Sequence, residues 1–104
     1  MCKGVSVAFD MYADQLQEKI AHNEEFLFTY VNENEDFPLL NLVWEAFYDG
    51  PEIYPEQSNS LVHELISLKA LHPSDKYLAN TIDRLLVFFS LCYQNDSTIK
   101  CVSD

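Results

Sequence analysis

The sequence predicts a mainly α fold: one domain over residues 1–104, a bundle of four to five helices with short extended segments at the N- and C-termini. Three observations carry this. Apolar residues recur at three- and four-residue spacing through most of the chain. Helix starts and stops stand at the right intervals, with Phe37-Pro38, Pro55 and Ser74 as openings and Gly50-Pro51 and His72-Pro73 as closings. Two glycines and four prolines are too few for an all-β chain with many tight turns. With 48% apolar residues the chain has a core's worth of material, which argues against disorder despite a net charge of −11. No internal repeat or low-complexity linker divides it.

Gly4 to Phe9 reads either as a short strand or as an extended lead-in. Asp10 then offers an N-cap, and Tyr12, Leu16 and Ile20 share one face of an expected helix. Phe26 to Val31 has the aromatic and β-branched content of a strand. It also continues a helical stripe through Leu16, Ile20, Leu27 and Val31, and helix is the expectation. Asn32 to Asp36 is a polar turn. The next helix begins at Asp36-Phe37-Pro38, because proline fits the first turn where its missing N–H costs nothing. Its core face is Leu40, Val43, Trp44 and Phe47, and Asp49-Gly50-Pro51 ends it.

Pro55-Glu56 opens a helix with Leu61, Val62, Leu65, Ile66 and Leu68 as its buried stripe, closed by His72-Pro73. Ser74 is the expected cap of the last helix, supported by Asp75 in its first turn. Tyr77 or Leu78, then Ile82, Leu85, Phe89 and Cys92, form its core face. The C-terminal half is apolar nearly all round, which predicts the central helix of the domain. Asn95-Asp96-Ser97 is a turn, and Thr98 to Val102 is a short strand that can pair with an extended N-terminal segment.

Charge is the chain's most unusual property. Between Ile20 and Leu68 there is no lysine or arginine, yet ten carboxylates: Glu24, Glu25, Glu33, Glu35, Asp36, Glu45, Asp49, Glu52, Glu56 and Glu64. They are interleaved with aromatic and aliphatic residues, so the segment can fold into a surface of one sign. Such a surface repels nucleic acid and anionic membrane and attracts a cationic protein. The six basic residues are scattered, with no aromatic stretch among them for nucleic-acid binding. The three cysteines form no CxxC pair, and Met1-Cys2-Lys3-Gly4 lacks a secretory apolar run, so a cytoplasmic, soluble protein is expected.

Chemical motifs are sparse. His63-Glu64 begins like HExxH, but position 67 is Ser67 and the second ligand is missing. His22, Glu24 and Glu25 read as a solvated acidic face, because neighbouring residues on a helix point apart. Glu33, Glu35 and Asp36 lack the spacing of an EF-hand loop. Cys92 and Cys101 lack further zinc ligands nearby, and Cys92 reads as a small core residue. No phosphate loop exists. The sequence therefore predicts no catalytic residue, no metal and no cofactor.

The positive candidate is an interaction surface, with partner-binding residues Glu33, Glu35, Asp36, Glu45, Tyr48, Asp49, Glu52, Tyr54 and Glu56. Trp44 is either a further anchor or core. Tyrosine beside carboxylates suits an interface, offering apolar area and a polar tip with little entropy to lose. Ordinary half-buried tyrosines fit Tyr48 and Tyr54 as well.

The runs Phe37-Pro38-Leu39-Leu40, Trp44 to Pro51, Ile53-Tyr54-Pro55-Glu56, Leu61 to Leu65 and Ile99 to Asp104 resemble the small acidic immunity proteins of bacterial polymorphic-toxin and contact-dependent inhibition systems. The likeness is one of apolar positions over Asp36 to Asp104, and it carries over no contact residue. It implies a non-catalytic protein that neutralises a basic toxin domain, for which a nuclease is the chemical fit. Two other readings stand beside it: a helical adaptor or regulatory subunit with a non-toxin partner, and a small metal-dependent hydrolase using Glu24 and Glu25. The oligomeric state is open.

Overall fold

The N-terminal segment decides the fold class. In the computed structural model, which describes residues 9–46 and 49–103, Phe9–Ala13 (β1) and Leu16–Ile20 (β2) form an antiparallel hairpin where a helix was expected. A 3₁₀ turn at His22–Glu24 follows, then α1 (Phe26–Thr29), α2 (Pro38–Glu45), β3 (Glu52–Ile53), α3 (Pro55–Leu71), α4 (Lys76–Gln94) and β4 (Ile99–Ser103). The four strands form one antiparallel sheet in the order β2-β1-β4-β3. Over the described residues the fold is thus mixed α/β, four helices and a four-stranded antiparallel sheet, and the expected mainly helical bundle is wrong.

The physical reason is a coincidence of periods. Four-residue spacing keeps Leu16 and Ile20 on one face of a helix, but four is even, so it also keeps them on one face of a strand. Leu, Gln, Glu and Lys in β2 are good helix formers, and packing overrides that preference. In β1 the alternation is plain: Phe9, Met11 and Ala13 are buried while Asp10 and Tyr12 face outward. Asp14 turns the hairpin with φ +54°, a left-handed conformation that aspartate tolerates. The Ser97 hydroxyl donates to the Asp14 carboxylate and ties this turn to the entry of β4.

β1 and β4 pair, an arrangement the sequence left open, with Met11 opposite Cys101 and Asp10 opposite Val102. The N-terminal strand or lead-in was placed earlier, at Gly4 to Phe9; of that range only Phe9 lies within the described residues. As the outermost strand, β2 exposes backbone groups to further pairing. At Lys19 that edge is closed: its N–H donates to Glu18 Oε2 at 3.1 Å, and its carbonyl accepts from Arg84 Nη2 at 3.0 Å.

The core lies between the inner sheet face and the helices. Phe9, Met11, Ile53, Ile99 and Cys101 meet Leu61, Leu65 and Leu68 of α3 and Leu78, Ile82, Leu85, Phe89 and Cys92 of α4. Leu78 takes the inward position that Tyr77 competed for, and Ile66, expected in the α3 stripe, is 51% exposed. The outer side of α4 is open, with Val87 61% exposed, so its apolar C-terminal half packs on one side and does not make it a central helix.

Helix ends explain the rest. Asp75, not Ser74, caps α4, its carboxylate accepting the Leu78 N–H at 2.9 Å. The second helix stops at Glu45, earlier than expected, and Gly50 turns the chain into β3 with φ +62°. A Cβ there would lie 3.1 Å from the Cys101 carbonyl, so both conformation and space favour glycine. Phe37 cannot cap α2, and Glu64 of α3 does so from a distance. Its two oxygens accept the Leu39 and Leu40 N–H groups, each at 2.9 Å. A carboxylate at that end also complements the helix dipole. Phe47, expected on the core face of α2, lies outside the described residues.

Candidate functional site

Nine of the ten carboxylates of the lysine-free segment separate into two kinds; Glu25, half-buried, belongs to neither. Glu24 and Glu64 work inside the fold. Glu24 is buried, not on a solvated face as expected, and receives Arg84 Nη2 at 2.7 Å and the Ala21 N–H at 3.0 Å on Oε1. The Thr81 hydroxyl donates to its other oxygen at 3.4 Å. Burial alone would raise the Glu24 pKa, but these donors and the guanidinium charge outweigh it and hold the carboxyl below its ordinary value. Seven others, Glu33, Glu35, Asp36, Glu45, Asp49, Glu52 and Glu56, are all exposed. Among the described residues none of the seven has a salt bridge.

These seven form two groups at the ends of α2. Glu33, Glu35 and Asp36 occupy the turn that leads into it, beside the Glu64 cap. Glu45, Asp49, Glu52 and Glu56 surround its exit, the β3 edge and the first turn of α3. An eight-residue helix separates the groups by about 12 Å. Tyr54 joins the second group and is 54% exposed, with its N–H donated to Gln57 Oε1 at 2.9 Å. Tyr48 lies outside the described residues. Trp44 is half-buried and stacks on Phe28, ring centroids 4.8 Å apart at 20°.

The first group sits on a fastened loop. Glu33 has φ +62°, and its N–H donates to Asn41 Oδ1 at 3.2 Å. The Asn41 amide nitrogen lies 2.9–3.0 Å from the carbonyls of Val31, Asn34 and Phe37. One side chain on α2 therefore gathers the whole turn, and Asn34 Oδ1 accepts the Asp36 N–H at 2.9 Å. Sequence reasoning missed Asn41 and the Glu64 cap. Nothing in the spacing of a lone asparagine announces a loop hub, although a polar residue between Leu40 and Val43 was a hint.

The other candidates resolve simply. Among the described residues no group of three or more His, Cys, Asp or Glu is placed to hold a metal ion. His63 is exposed on α3, while Glu64 is turned inward as a cap. Burial pushes the Cys92 thiol up to about 11 and the Cys101 thiol up to about 12, so both are protonated and poorly nucleophilic at neutral pH. No helix among the described residues is long and apolar enough to cross a membrane.

Comparison of the chain with family models, curated proteins and solved structures found no match.

Proposed function

We propose that this protein is a cytoplasmic, non-catalytic immunity protein that binds and neutralises a basic toxin domain through its acidic, tyrosine-bearing surface. The observation that carries the reading is the set of seven exposed carboxylates between residues 33 and 56 that have no salt bridge among the described residues, three of them on a turn held by Asn41. Unpaired like charges repel one another, and the repulsion is relieved when a cationic surface docks. A nuclease presents lysine and arginine to phosphates, which makes its cleft a complement to such a cap. Long-range attraction would speed encounter, while Tyr54 and Trp44 supply apolar contact.

The test is co-expression with the C-terminal domain encoded immediately upstream in the native genome. The protein should restore growth against that domain, and the triple variant Glu33→Lys, Glu35→Lys, Asp36→Lys should lose protection. Its association rate should fall and become less salt-dependent. No protection by the parent chain, or full protection by the triple variant with unchanged kinetics, would sink the reading.

A further inference from the structure

Between α1 and α2 opens a pocket of about 160 Å³, lined by Phe28, Thr29, Asn32 and Trp44. We propose that it receives a single arginine side chain from the cationic partner. This rests on the docking reading above and adds to it a defined anchor.

The chemistry of the lining selects the guest. Trp44, half-buried and stacked on the buried Phe28 at 20°, gives the pocket its aromatic surface, on which a planar guanidinium stacks well. The Thr29 hydroxyl spends its proton on the Phe26 carbonyl at 2.5 Å, so it has only lone pairs to offer a guest. The Asn32 amide supplies a further acceptor oxygen. Guanidinium carries five donors and no acceptor, which complements these groups. No cation lines the pocket among the described residues. The exposed Glu33 and Glu45 are the chain neighbours of Asn32 and Trp44, so the pocket opens within the acidic segment of the chain. Lysine meets the charge requirement, but its ammonium is more strongly hydrated and does not stack.

The experiment is a ¹H–¹⁵N titration of the full chain with acetyl-Gly-Arg-Gly-amide and with its lysine and citrulline counterparts. Trp44 is the sole tryptophan, so its indole N–H is an unambiguous reporter. The arginine peptide should shift Trp44 and the Thr29 and Asn32 signals saturably, with a Kd on the order of millimolar for one side chain. The lysine peptide should bind at least about threefold more weakly, and neutral citrulline should leave the pocket unmoved. Thr29→Val, at an exposed position, should weaken arginine binding about threefold or more while the rest of the spectrum stays in place. An equal response to citrulline, or full affinity in Thr29→Val, overturns the assignment. A parallel titration with octalysine separates the two readings. If it moves Glu33, Glu35 and Asp36 while the arginine peptide leaves Trp44 still, the pocket proposal falls alone. If octalysine moves nothing, the cationic-partner reading falls with it.

Discussion

The two sides of this molecule treat charge in opposite ways. On the hairpin side, Arg84 of α4 reaches Glu24 at 2.7 Å and Glu18 at 3.0 Å, and Lys69 of α3 meets Asp83 of α4 at 2.6 Å. On the outer sheet face Asp10 stands opposite Lys19. Around α2 the carboxylates face solvent without a salt bridge among the described residues. Charges of the first kind close the fold, and their removal should be felt in stability. Those of the second kind contribute little to folding, and their removal should be felt in binding.

The largest effect belongs to Arg84. Arg84→Met keeps the apolar stem but leaves the buried Glu24 carboxylate without its cation and uncovers the β2 edge at Lys19. A fully buried pair broken this way costs about 3–5 kcal/mol. The Arg84 side chain is 40% exposed, so about 2–3 kcal/mol is expected, read from the denaturant midpoint at unchanged slope. A loss under 0.5 kcal/mol would mean that Glu24 finds water instead.

Acid should attack the same side. Hydrogen bonds from Arg84 and Ala21 hold Glu24 below its ordinary pKa against the opposing effect of burial, and those from Tyr30 and Leu78 do the same for Asp75. A carboxyl lowered in the folded state stabilises above its unfolded pKa, near 4, and that contribution is lost as pH falls through the folded value. Urea midpoints should therefore drop on acidification below about pH 4, and the Glu24 part of that drop should be missing in Glu24→Gln.

Next in size is Glu64→Ala, which removes a charged cap from two N–H groups at the start of α2. About 1–2 kcal/mol is expected. Because α2 carries both acidic groups at its ends, amide exchange in the Glu33–Asp36 turn should rise in this variant more than exchange in α4. Equal rises would show that the cap stabilises the whole domain and not the acidic platform.

The reach of the sequence is instructive beside these effects. Both long helices were legible, with ends within a residue or two, because proline openings and the His72-Pro73 stop are local chemistry. The last strand was legible from Thr98 to Val102, but its pairing with the N-terminal segment was left open. The hairpin was not, since its spacing satisfies two periods and its β2 residues favour helix. The Glu24–Arg84 pair was hidden by 60 residues of separation, and it removed from the acidic face a residue that composition alone counted in. Asp75 was mistaken for a supporting residue because the residue before it is also a good cap. The exposure of Glu33 to Glu56 was foreseeable, as charged residues in turns and first helical turns seldom bury. The organisation of that surface by Asn41 was not.

The smallest effect is the sharpest test of the comparison, because it rests on sign. Neutralising Lys69 or Asp83 removes an exposed pair and should lower stability by about 0.2–1 kcal/mol. Neutralising Glu33, Glu35 and Asp36 to Gln, Gln and Asn removes no salt bridge and relieves repulsion in a chain of net charge −11. At low ionic strength it should raise stability by a few tenths of a kcal/mol. Salt screens both, so near 0.5 M the two changes should shrink toward zero from opposite sides. If the triple variant instead loses stability at every salt concentration, its carboxylates serve the fold after all, and the α2 surface belongs with the hairpin side.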